Sequence, residues 1–139
     1  MLKRIILSTY LLLASTVAIH AQQVIPQPSA IGGSKPFLAN SLSNTAVTVK
    51  SSAGTLQSYY CYNPNASVAY VQIYDTSGAI TVGTTTPKWS IGIPATSAAN
   101  LGLPQNGLGF ANALKVAATT GATNSTAPGT ALDCNFGFK

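Results

Sequence analysis

The chain has 139 residues, enough for one domain, and it is sparsely charged: seven Lys and Arg against two acidic residues give a net charge of +5. The basic residues beyond the first few positions are scattered, and scattered lysines cannot neutralise a run of phosphates, so no nucleic-acid partner is expected. One histidine and two cysteines leave little for metal or nucleophilic chemistry.

Residues 1–21 read as a signal peptide. Lys3 and Arg4 give a basic start, and the uncharged run Ile5 to Ile19 is too short to span a bilayer, which takes roughly 20 apolar residues. Cleavage after Ala21 would remove His20 and Arg4, leaving five lysines against Asp75 and Asp133 and a net charge of about +3. The expected location is therefore exported, periplasmic or extracellular in a bacterium, with no stable membrane insertion after cleavage.

Residues 22–44, rich in Gln, Pro, Ser, Gly and Asn, read as an extended leader. From 45 to 139 the hydrophobic period becomes two, the pattern of half-buried strands. The first falls at 46–50. In the next, 56–63, Leu56, Ser58, Tyr60 and Tyr62 alternate with Gln57, Tyr59, Cys61 and Asn63; in 68–75, Val71 and Ile73 oppose Tyr70, Gln72 and Tyr74. Asn63-Pro64-Asn65 and Asp75-Thr76-Ser77-Gly78 are turn sequences, because Asn and Asp side chains bond nearby backbone and Gly accepts positive φ.

Further strands are predicted at 79–82, 88–93, 107–111, 113–119 and 131–138, with small-residue loops at 95–107 and 120–130. Trp89, Ile91 and Ile93 share one side of their strand, and a tryptophan alternating with isoleucines reads as core rather than as a ligand platform. Pro87 and Pro94 bracket that strand, which suits a sheet edge. Phe136 joins the core list from the last strand, where Leu132, Cys134, Phe136 and Phe138 alternate. Seven or eight short strands at turn spacing predict an all-β antiparallel sandwich, immunoglobulin-like or jelly-roll-like.

An exported pair of cysteines suits a disulfide, so Cys61 and Cys134 are expected to be bridged. The closed loop of about 70 residues would be worth roughly 4 kcal/mol in the chain-entropy account. No catalytic residue is assigned: the exported chain would hold no histidine to act as base, and it contains no Ser-x-x-Lys motif. Asp75 in a turn and Asp133 on an outward face suit ordinary structural roles better than glycoside hydrolysis. No metal site and no cofactor is expected. Tyr60, Tyr62, Tyr70 and Tyr74 would form one aromatic face if their two strands pair, a candidate binding face for sugars or subunits.

The stretches AGTLQSYYCYNPNASVAYVQIYD, VGTTTPKWSIGIPAT and GLGFANALKVAATTGATNSTAPG, with the last strand ending at Phe138 and Lys139, resemble small β-sandwich domains of tailed-phage virion structural proteins and related bacterial genes. The resemblance implies a non-catalytic structural role and carries no catalytic motif onto this chain. The signal peptide and the cysteine pair depart from it and favour an exported, prophage-derived or bacterial surface protein. Two functions follow as expectations: a structural or assembly module whose partners are protein subunits in an oligomer, or a carbohydrate- or cell-surface-binding module using the tyrosine face.

Overall fold

The computed structural model describes residues 33–100, 103–104 and 106–139. The expected signal peptide at 1–21 and the leader as far as residue 32 lie outside the described residues. Those described contain nine strands and no helix: β1 Lys35–Leu42, β2 Val47–Lys50, β3 Gly54–Asn63, β4 Ala69–Asp75, β5 Trp89–Ile93, β6 Ser97–Ala99, β7 Leu108–Phe110, β8 Leu114–Thr119 and β9 Leu132–Phe138.

Period-two patterning located β2 to β5 and β7 to β9. Two strands were hidden. β1 forms within the second half of the expected leader, where Phe37, Ala39 and Leu42 turn inward, and a register shift between Ala39 and Leu42 disguises their alternation. β6 is three residues of Ser and Ala inside a segment read as loop. The strand predicted at 79–82 is absent: Thr84 and Thr85 both donate their N–H to the Thr81 carbonyl, 3.0 and 2.8 Å, and the chain turns. Both neighbours of β4 are supplied by β5 and β8, so this segment does not pair back on β4 as a hairpin.

All pairings are antiparallel. One sheet, A, runs β1-β9-β3, with β7 and β6 sharing the far side of β3: β7 lies along Gly54–Leu56 and β6 along Cys61–Asn63. The other, B, runs β2-β8-β4-β5. The pairs β1–β9, β2–β8, β3 with β6 and β7, and β4–β5 nest inside one another as in a single long hairpin. Pairing β9 with β3 and β8 with β4 then closes that hairpin into two sheets. This strand order is that of a jelly roll and differs from that of an immunoglobulin sandwich.

Apolar side chains fill the space between the sheets, with Leu56, Leu132 and Phe136 from A meeting Val71, Ile73, Ile93 and Val116 from B. Alternation along β3 is reset by a register shift between Leu56 and Ser58, so Leu56 joins Tyr59, Cys61 and Asn63 inside while Ser58, Tyr60 and Tyr62 face out. Ile91, Ile93 and Phe136 are core residues as expected. Trp89 is not fully enclosed: it is half-buried at the rim, its ring edge-on to Tyr59 at 6.5 Å between centroids and 88° between planes. Its position at the first residue of β5 explains the difference, because the sheet ends there.

Free sheet edges invite pairing with other chains, and each edge strand here blunts that tendency. β1 carries a register shift and Pro36; β5 is flanked by Pro87 and Pro94; β2, β6 and β7 are four, three and three residues long.

Burial sets the cost of truncation. Phe136→Ala should lower the unfolding free energy by about 3–5 kcal/mol, and half-buried Trp89→Ala by about 2 kcal/mol. Urea denaturation of the two variants checks the order; a larger loss at Trp89 would contradict the packing described.

Candidate binding face

β3 and β9 lie side by side with Cys61 opposite Cys134, both fully buried on the inward face and joined by a disulfide across 73 residues of sequence. Their Cα atoms are 4.1 Å apart. The pleat therefore sends the residues between them outward. Tyr60 stands opposite Asn135, which on its other side faces Leu38 of β1; Tyr62 stands between Asp133 and Ala98; Ser58 stands opposite Gly137, which faces Pro36.

The result is an open sheet surface with Leu38 58%, Tyr60 47% and Tyr62 39% exposed. Within it lies a groove of about 410 Å³ whose lining includes Pro36, Ser58, Tyr60, Asn100, Asn135 and Gly137. Gly137 keeps the groove floor low, since a Cβ at this position would collide with Ser58 Oγ.

Sheet B treats its outer face in the opposite way. Gln72 and Thr119 point outward from β4 and β8, yet both are fully buried, because the 120–130 loop folds over them. The Gln72 amide donates to Thr119 Oγ1, to the Gly121 carbonyl and to the Asn124 carbonyl at 2.9, 3.0 and 2.9 Å, and its oxygen accepts from the Tyr74 hydroxyl. Burial raises the Tyr74 phenol above its ordinary pKa.

The four tyrosines of the candidate face are thus divided. β3 and β4 belong to different sheets, so the expected ladder does not form. Tyr60 and Tyr62 lie exposed on A, Tyr70 is half-buried on B beside Gly92, and Tyr74 is buried at 1% exposure. A binding face can draw on the first two only. Asn135 and Gly137 could have been found in the outward half of the β9 alternation. Pro36, Leu38 and Asn100 could not, because they come from the unrecognised β1 and from the segment following β6.

Both carboxylates fall away from this groove's lining. Asp75 is tied into the fold: Lys88 Nζ donates to Oδ2 at 2.8 Å, and the Ala111 and Asn112 backbone N–H groups donate to the carboxylate at 3.0 and 2.8 Å. Desolvation pushes its pKa up, but the Lys88 hydrogen bond, the two backbone hydrogen bonds and the Lys88 charge outweigh that and hold it well below the usual carboxylate range. The turn after it is closed by Thr76, whose Oγ1 accepts from the Gly78 N–H at 3.1 Å. Asp133 is exposed on the open face.

Among the described residues no group of three or more His, Cys, Asp and Glu could hold a metal ion, and no helix is long and apolar enough to cross a membrane. A second cleft, about 490 Å³, lies beside β2, but the ammonium of its lysine, Lys115, is spent on the Ser77 and Gly78 carbonyls. Comparison with family models, with curated proteins and with solved structures finds no match to the chain.

Asp75 links pH to stability. A carboxyl whose folded pKa is depressed contributes stability above its unfolded pKa of about 4 and loses it progressively as pH falls below that value. Asp75→Asn should therefore cost about 1–2 kcal/mol at pH 7 and flatten the loss of stability between about pH 4 and 2. Denaturant titrations across this range test it; an unchanged acid slope in the variant would contradict the assignment.

Proposed function

We propose that the protein is an exported, non-catalytic β-sandwich that binds carbohydrate at a cell surface through the outer face of the β1-β9-β3 sheet. The observation that carries this reading is the pair of exposed tyrosines, Tyr60 and Tyr62, standing beside Asn135 on the open face, while the opposite outer face is covered over Gln72 and Thr119 by its own loop. Aromatic rings and amides on a rigid sheet supply the flat apolar contact and the fixed hydrogen bonds that a sugar needs. The buried disulfide fits an oxidising compartment.

A structural or assembly role, in keeping with the resemblance to phage virion domains, is the second reading. Leu38 favours it, being the most exposed large apolar side chain of the same face. The blunted edges weigh against assembly by strand addition, so subunits would have to meet face to face.

Light scattering on the exported protein, together with retention on a glycan array, separates the two. The expected result is a monomer retained on glycans, with retention lost in a Tyr60→Ala, Tyr62→Ala double variant of unchanged melting temperature. A stable oligomer dispersed by Leu38→Lys, with no glycan retained, would replace the binding reading by the assembly one.

A further inference from the structure

We infer that the ligand of this face is an uncharged hexopyranose ring, seated in the groove beside Tyr60 and held by the side chains of Asn135, Asn100 and Ser58. The inference rests on the carbohydrate-binding reading above and specifies its site and the class of sugar.

Most amides away from the groove are consumed by the fold, Asn40 and Asn106 being the exceptions among the described residues. Asn63 donates to the Ser67, Ile93 and Pro94 carbonyls, Asn65 exchanges hydrogen bonds with Thr130, Gln72 anchors the 120–130 loop, and Asn124 closes that loop on itself. In the groove, Asn100 and Asn135 make no side-chain hydrogen bond to any described residue, and neither does the Ser58 hydroxyl. Each free amide offers two donors and an acceptor, which matches two neighbouring hydroxyls of a sugar.

Register fixes how these groups meet the aromatic ring. Asn135 is directly opposite Tyr60 on β9, and Ser58 shares the outward side of β3 with Tyr60, two residues away. A pyranose has a face of C–H bonds and a rim of hydroxyls; the exposed Tyr60 ring suits the first and the surrounding amides suit the second. The groove's volume of about 410 Å³ lies within the range of small-ligand sites, and Gly137 leaves it open at the floor.

Charge chooses among sugars. Among the described residues no lysine, arginine, aspartate or glutamate lines the groove, so a carboxylate or sulfate on the ligand would find no counter-ion among them. Asp133, beside Tyr62 on the same face, adds repulsion against anions. Neutral rings are the class left.

The test uses the exported protein on an array carrying neutral hexopyranose oligosaccharides beside versions bearing uronic or sialic acid. Retention on neutral glycans is expected to fall about tenfold or more in Tyr60→Ala and in Asn135→Ala, and to vanish in Gly137→Leu, with Tyr62→Ala changing it less than about threefold. Tyr60 and Asn135 are exposed, so their variants should keep the wild-type melting temperature and remain informative even if Gly137→Leu misfolds. Preference for the acidic glycans, or retention that survives Tyr60→Ala and Asn135→Ala but is lost in Tyr62→Ala, would overturn the groove assignment and leave the binding face standing. A wild-type protein retained on no glycan would overturn both.

Discussion

The pairing of β9 with β3, closed by the buried Cys61–Cys134 disulfide, is the constraint on which the rest of the fold depends. Nested pairing alone would give a long, open ribbon. Joining its first and last strands to the middle turns that ribbon into a sandwich, and β9, lying between β1 and β3, makes the join in sheet A. The covalent link closes a loop of 73 residues that contains β4 to β8, and in the chain-entropy account such a loop is worth about 4 kcal/mol. Against a usual net stability of about 5–15 kcal/mol, that share is large. The seam continues beyond the last strand, where Thr55 and Lys139 exchange backbone hydrogen bonds at 2.9 Å. Gly54 is required next to it, because a Cβ there would strike the Lys139 carbonyl.

Two buried amides extend the order from the sheets to the loops. Asn63, at the end of β3, binds carbonyls at Ser67, Ile93 and Pro94 and accepts from the Asn65 backbone N–H, so it fixes the crossing from sheet A to sheet B. Gln72 does the equivalent work for the 120–130 loop. Each would cost several kcal/mol if left unpaired in the interior, and among the described residues no buried side-chain nitrogen or oxygen lacks a partner. Their combined effect is asymmetry. One outer face is covered in part by its own loop, and the other is left open directly over the disulfide seam, where Tyr60 and Asn135 stand exposed.

Fold class was legible in the sequence because seven strands keep period two and the turns carry Asn, Pro, Asp and Gly. The strands that escaped did so for physical reasons: β1 interrupts its alternation with a register shift, and β6 is too short and too small-sided to show any. The sheet partners of a strand are a different kind of information. A short turn between 63 and 69 suggests a hairpin, but Asn63 and Asn65 lift the chain to the other sheet, and the tyrosines on either side of the turn part company. Tyr74 reads as a surface residue in its strand, yet it is buried and donates its hydroxyl to Gln72, which a loop some fifty residues later holds, and no local pattern can convey that. Hence half of the expected tyrosine face stands where it was expected, and its polar partners came to light only with the register of β9.

Native-state amide hydrogen exchange, resolved by residue, tests the primacy of the seam most directly. The account predicts that Tyr59 to Tyr62 in β3 and Cys134 to Phe136 in β9 include the slowest-exchanging amides, opening only with global unfolding, while β6 and β7 exchange through smaller local openings. Faster exchange along this seam than along β4 and β8 of sheet B would contradict it.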